Sequence, residues 1–329
     1  MQKEELMVNI QTTTGLQDIR DNDRILVHEH VFNRYPFRQQ EKMEDYVLNE
    51  LDKAYRQGIT IICDLTAYTK PYNYYRIIEN SPVKIVSCLG FYTNRYIPAH
   101  QKRQDADEII RSYSKVIENG VGTRNVKPGI LKIAAQSYRL SPLEEKLFSV
   151  IAFLSKEYEL PIALHAPKGT YSHVLSLISA GAKPEKIFVA HIENGIQSEK
   201  EYDKRLTEAT QILSLGSYVQ LADFGCTITS KKCITGIAFF NDLIKRGYLN
   251  NLLLSADSCW RWKKNEFVVK EYNYGNGKPY TYTKEFSLPK LQQEVNTTLD
   301  LEQVLLCDNP KRFLPSEVIK TVVIFIKKP

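Results

Sequence analysis

Apolar and polar positions along the chain follow two rhythms. Short apolar runs of strand length recur at 24–31, 59–66, 83–90, 129–135, 161–166, 186–191, 217–222 and 251–257. Between most of them lie segments with a helical apolar period, near 41–57, 101–119, 141–158, 171–181, 198–215 and 234–248, with a weaker one near 70–80. Ser141-Pro142-Leu143-Glu144 is a helix start: a capping hydroxyl, proline in the first turn and an acid three residues on. Continuous apolar strands alternating with helices predict a parallel sheet covered on both faces. Eight such units predict an α/β fold of the closed (β/α)8 type, a TIM barrel forming a single domain. An open doubly wound sheet would want a glycine-rich phosphate loop after its first strand, and Phe32-Asn33-Arg34-Tyr35-Pro36 offers none.

Composition changes little in this picture. The chain has 329 residues, 43% apolar and 25% charged, within the range of ordinary globular proteins. No linker, repeat or low-complexity tract divides it. No apolar stretch nears the ~20 residues that cross a bilayer, and the polar Met1-Gln2-Lys3-Glu4-Glu5 lacks a signal-peptide core; a cytoplasmic protein is the expectation. Six scattered cysteines without a Cys-x-x-Cys pair argue against a disulfide framework or zinc ribbon. The net charge of +6 suits an anionic small-molecule substrate, and no basic, aromatic-interleaved helix points to nucleic acid.

Chemistry gathers where the histidines fall. His28 and His30 lie two apart late in the first run, and strand side chains alternate faces, so both imidazoles project to one side. His165 ends the fifth run, His191 the sixth, and Asp257 the eighth. Barrel active sites form at the C-terminal ends of the strands. Four imidazoles and a carboxylate converging there predict a metal site, with donors suited to zinc, manganese, iron or cobalt. His100 and His173 fall in loop or helix territory and read as solvated surface residues. Lys132 interrupts the apolar run Gly129-Ile130-Leu131-Lys132-Ile133-Ala134-Ala135. It either snorkels toward the mouth or is desolvated and chemically modified to an anionic ligand; residue chemistry alone leaves both open.

His28-Glu29-His30, Gly129-Ile130-Leu131-Lys132, His165, His191 and Ser255-Ala256-Asp257, with Thr12–Gly15, Ile62–Thr66 and Asp308–Leu314 in support, resemble the phosphotriesterase family of the amidohydrolase superfamily, including its phosphotriesterase-like lactonases. The similarity spans roughly residues 8 to 315, so the expected layout is a barrel over 1–315 and a C-terminal tail over 316–329 of unknown role. The resemblance implies two divalent ions, zinc first among the candidates. His28, His30 and Asp257 would bind one and His165 and His191 the other. Lys132, carboxylated by carbon dioxide to N6-carboxylysine, would bridge both together with a hydroxide that attacks the substrate, Asp257 accepting its proton. A homodimer is also implied.

The substrate is read from departures and loops. The run after strand 6 is His191-Ile192-Glu193-Asn194, and after strand 7 Leu221-Ala222-Asp223-Phe224, where family members acting on phosphotriesters or acyl-homoserine lactones carry histidine or arginine. Glu193 or Asp223 is the candidate proton relay. Lys231-Lys232 and Arg261, Lys263 and Lys264 make the loops after strands 7 and 8 basic, fit for a phosphate. Tyr92 and Arg95, with Tyr68, Tyr72, Tyr74, Tyr75 and Tyr96, crowd the loops after strands 2 and 3. The segment Tyr274–Tyr280 resembles the strand-8 loop of members that open phosphorylated sugar lactones. The expected function is therefore a metal-dependent hydrolase, a lactonase for a small phosphorylated sugar lactone. A carboxylesterase or organophosphate triesterase is the first alternative, and a non-catalytic metal-binding barrel the second.

Overall fold

The computed structural model describes residues 8–32, 40–67, 73–194, 196, 198–222, 229–263, 266–269, 278–295 and 297–314, without the side chains of 229–235, 261–263 and 269. A hairpin, β1 (Asn9–Thr12) and β2 (Gly15–Asp18), precedes the barrel. The barrel proper runs β3 (Ile25–Glu29), α1 (Gln40–Arg56), β4 (Ile61–Asp64), α2 (Tyr75–Asn80), β5 (Lys84–Gly90), α3 (Ala99–Arg103), α4 (Ala106–Asn119), β6 (Pro128–Ala134) and α5 (Pro142–Tyr158). It continues with β7 (Ile162–His165), α6 (Thr170–Ser179), β8 (Ile187–Ala190), α7 (Glu199–Ser214), β9 (Tyr218–Leu221), α8 (Thr229–Lys245) and β10 (Leu252–Leu254). A second hairpin, β11 (Trp260–Lys263) and β12 (Glu266–Val269), and the helices α9 (Leu288–Glu294), α10 (Leu301–Gln303) and α11 (Asn309–Phe313) follow.

Strands β3 to β10 form one eight-stranded sheet in sequence order, every pairing parallel. This is the predicted (β/α)8 barrel; seven of the predicted strands contain an observed one, and the remaining one, 129–135, overlaps β6, which begins one residue earlier at Pro128. Among the described residues the circle closes between the first and last strands through hydrogen bonds at their C-terminal ends rather than a ladder. His30 N donates to Ser258 O (2.9 Å), Asp257 N to His28 O (3.2 Å) and His28 N to Ser255 Oγ (3.0 Å).

Period-two alternation sorts the strand side chains into two cores. Ile61, Cys63, Val86, Cys88, Ile130, Ala163, Phe188, Tyr218 and Leu253 face inward with Phe313 and Leu314, whereas Ile62, Ile85, Leu131, Leu164, Val189 and Leu254 pack against the helices. Phe313 lies against Phe188 (ring centroids 5.4 Å) and Tyr218 (5.1 Å).

The predicted helix near 101–119 is two helices. Asp105 accepts from Glu108 N while the Glu108 side chain accepts from Asp105 N, a complete capping box that starts α4 anew. Among the described residues no helix is long and apolar enough to cross a membrane.

Candidate metal centre

Inward alternation carries Lys132 (in step with Ile130) and His165 (in step with Ala163) to the C-terminal mouth of the barrel. His28 and His191 need help. In β3, Ile25 and Val27 face inward, so plain alternation would turn His28 out; a register shift between Leu26 and Glu29 corrects this. In β8, Phe188 and Ala190 face inward, and His191 is brought round by a left-handed backbone at φ 38°. Asp257, three residues beyond β10, is left-handed too, at φ 54°. Non-glycine residues rarely adopt this region, and such outliers gather at functional sites.

These devices bring the groups together. The Nε2 atoms of His28 and His30 lie 3.3 and 3.1 Å from Asp257 Oδ1, and donor atoms of all three fall within 4.8 Å of one another. His165 Nδ1 is 3.0 Å from His191 Nε2, and the His28 and His191 ring centroids are 5.5 Å apart. Lys132 is 1% exposed. Its charge acts on His28 and His165, and that of Asp257 acts on it, so it belongs to the same cluster.

Neighbours fix the tautomers. Gln220 Oε1 can only accept, so His28 Nδ1 donates to it (3.1 Å); the same oxygen accepts His191 N–H (3.2 Å). Thr66 Oγ1 donates to Asp64 Oδ1 (2.8 Å) and so accepts from His30 Nδ1 (2.9 Å). Asp64 Oδ1 also takes the N–H groups of Val31 and Phe32 (2.6 and 3.1 Å). Both histidines thereby present the Nε2 lone pair. Burial, then the Lys132 charge, holds His28 well below the usual imidazole range; burial, then His191, does the same for His165. Burial works against charge on Asp257, but attraction to the neighbouring imidazoles, when these carry a second proton, outweighs this and holds the carboxyl well below its ordinary range. Burial lowers Lys132 to about 8.

Of the remaining site residues read from the sequence, Tyr92 reaches the cluster, its ring 5.2 Å from His165; burial, then Asp257, pushes its phenol to about 12. Arg95 is exposed on the rim, its guanidinium 5.9 Å from the Tyr96 ring. Tyr74 stacks on Phe32 (5.2 Å) and the Tyr75 hydroxyl accepts Thr123 N–H (3.1 Å), so these two serve packing and loop geometry. Glu193 is buried, with Oε1 accepting Ala222 N–H (2.6 Å). The side chains of Lys231, Arg261 and Lys263, and Lys264, Asp223, Tyr68 and Tyr72 altogether, lie outside the described residues. One expectation is overturned. His173 is not a surface residue but is 1% exposed, its Nε2 2.8 Å from Ser137 O and its ring beside Phe148, because α6 turns it under the loop after β6.

Sequence reasoning missed Glu29, Gln220 and Lys278 as parts of the site. All are buried, Lys278 with Nζ donating to Ala222 O (3.2 Å). For Gln220 the signal was present: an amide inside the apolar run Tyr218-Val219-Gln220-Leu221 needs a partner.

A family model described as the phosphotriesterase family matches residues 8–314. The chain belongs to the phosphotriesterase family. A relative, the phosphotriesterase homology protein of Escherichia coli (strain K12), is 24% identical over 277 residues, covering 82% of this chain and 88% of the relative. Among solved structures, a double mutant of an organophosphorus hydrolase from Deinococcus radiodurans superposes with a TM-score of 0.80 at 20% identity, covering 95% of this chain and all of its own. A mutant PTE-like lactonase from Deinococcus radiodurans gives 0.76 at 18% identity, covering 93% and 99%.

Phosphotriesterase-family enzymes are binuclear, metal-dependent hydrolases of ester and phosphoester bonds. The donor set here fits that requirement: imidazoles with oriented lone pairs and a carboxylate converge at a largely buried barrel mouth. Two imidazole nitrogens 3.0 Å apart are likewise suited to sharing a cation.

Proposed function

We propose that this member of the phosphotriesterase family is a lactonase that opens a small, phosphorylated sugar lactone. The observation that carries the reading is the convergence of His28, His30 and Asp257 with His165, His191 and the buried Lys132 at one barrel mouth. In this reading His28, His30 and Asp257 would hold one divalent ion, His165 and His191 would hold a second, and Lys132, as N6-carboxylysine, would serve both; zinc, manganese, cobalt and iron all suit the donors. When bound, such ions polarise the bond to be cleaved and acidify water.

The chain's own groups supply the rest. The Asp257 carboxylate, kept ionised by its neighbours, takes the proton of the water that attacks the lactone carbonyl carbon. As the carbon–oxygen ring bond breaks, Asp257 passes that proton to the departing ring oxygen, leaving a hydroxy acid. The Tyr92 phenol stays protonated through the physiological range and can donate to a sugar oxygen beside His165. The basic residues Lys231, Arg261, Lys263 and Lys264 receive the phosphate, and Arg95 on the rim adds positive charge. A triesterase activity has support in the Deinococcus radiodurans organophosphorus hydrolase of the same fold.

One experiment tests the reading. Protein loaded with zinc or manganese is assayed against phosphorylated and plain sugar lactones, aryl esters and a phosphotriester. The expected result is turnover of the phosphorylated lactone first, with Asp257→Asn lowering kcat on the order of 10²–10⁴-fold at unchanged fold. Turnover of aryl esters or phosphotriesters alone removes the lactonase reading, and an inert metal-loaded protein removes the hydrolase reading.

A further inference from the structure

Between His28 and His30, at the end of β3, stands Glu29, a carboxylate with no exposed surface. Its oxygens are both engaged by the segment just beyond the last barrel strand: Oε1 accepts Ala256 N–H (2.9 Å) and Oε2 accepts Ser258 N–H (2.6 Å). Those peptide groups flank Asp257, whose own N–H donates to His28 O, while Ser258 O accepts from His30 N. Three successive residues of one segment are thus tied to three successive residues of the other, around a non-glycine residue at φ 54°. A conformation of that kind persists only where its surroundings over-determine it. An ionised carboxylate is also costly in the interior. Glutamine would fill the same space without charge, but it has one acceptor oxygen for two N–H donors. The geometry therefore asks for two oxygens at Glu29. Burial pushes the Glu29 carboxyl up to about 8, and the N–H groups of Ala256 and Ser258 and, last, the charge of buried Lys278 pull against that rise.

We propose that Glu29 is a positioning residue: by gripping the N–H groups on either side of Asp257, it holds that residue in the left-handed backbone that aims its carboxylate at His28 and His30. The proposal rests on the reading of Asp257 as a metal ligand. It separates two roles in His28-Glu29-His30: the histidines face the ion, and the acid between them shapes the opposite wall.

The test is a double-mutant cycle on the full-length protein, read by zinc affinity in competition with a chromophoric chelator. Glu29→Gln is expected to weaken zinc binding by roughly 10–100-fold, to leave the melting temperature of the metal-free protein within a few degrees, and to add nothing once Asp257→Asn is present. On a substrate that the wild type turns over, Glu29→Gln lowers kcat and leaves KM within about twofold. Wild-type zinc affinity in Glu29→Gln, or full additivity with Asp257→Asn, overturns the proposal. Should Glu29→Gln fail to fold, Glu29→Asp keeps the charge but shortens the reach; weakened binding in that variant sustains the proposal and wild-type affinity overturns it. A wild type that binds zinc but cleaves no ester counts against the hydrolase reading alone, and the zinc cycle still decides on Glu29.

Discussion

At neutral pH the amine of Lys132 sits inside the barrel, 1% exposed, and burial lowers it from 10.5 to about 8. Below pH 8 the metal-free, unmodified protein must hold a buried ammonium. Between 8 and 10.5 the folded amine is neutral while the unfolded chain still binds the proton, so stability rises with pH across that window. The penalty is therefore fully present at pH 7 and is on the order of 3 kcal/mol. Lys132→Met should raise the stability of metal-free protein at pH 7, with the gain fading by pH 10, as read by urea unfolding at both values. A destabilised Lys132→Met at pH 7 would contradict the burial argument. The same variant should lose metal-dependent activity, a trade of stability against function. Lys132 was legible as an anomaly because lysine rarely interrupts an apolar run. Its place beside Asp257 came from the family resemblance and not from residue chemistry, since the two are brought together only by the closed barrel.

Gly90 shows what an element contributes. It ends β5 at φ +149°, and a Cβ there would lie 2.0 Å from Lys132 O, the atom that accepts Phe91 N–H at 2.8 Å. Glycine is needed so that β5 and β6 can approach at the level of the site. Gly90→Ala should cost about 2 kcal/mol or more and reduce metal content, measured by denaturant unfolding and elemental analysis; a neutral effect would mean that the strands part without consequence. The barrel strands were legible because parallel strands are buried on both faces and read as continuous apolar runs. The hairpins β1–β2 and β11–β12, four residues to a strand, were not, for so short an alternation does not stand out from loop sequence. The break between α3 and α4 was encoded in Asp105-Ala106-Asp107-Glu108, a capping box hidden inside a continuing apolar period.

For the molecule as a whole, the mouth of the barrel carries the polar cluster and the interior beneath it is filled by apolar layers ending at Phe313. That residue, from α11, is fully buried against strands β8 and β9, so the last described helix stabilises the barrel it follows. Phe313→Ala should cost about 3–5 kcal/mol in chemical unfolding while leaving the site's chemistry in place; a cost under about 1 kcal/mol would show that the interior closes without it. What the chain determined by itself is the succession of eight strands and the placing of imidazoles, lysine and aspartate at their ends, because burial periodicity is local and each run carries its own signal. Tertiary structure alone decided the inward turn of His191 and Asp257 and the shift that brings His28 round. The left-handed backbones are unfavourable locally, and contacts from residues distant in sequence accompany each of these turns: Glu29 with Ala256 and Ser258 around Asp257, Gln220 with the N–H of His191, and Ser255 with the N–H of His28.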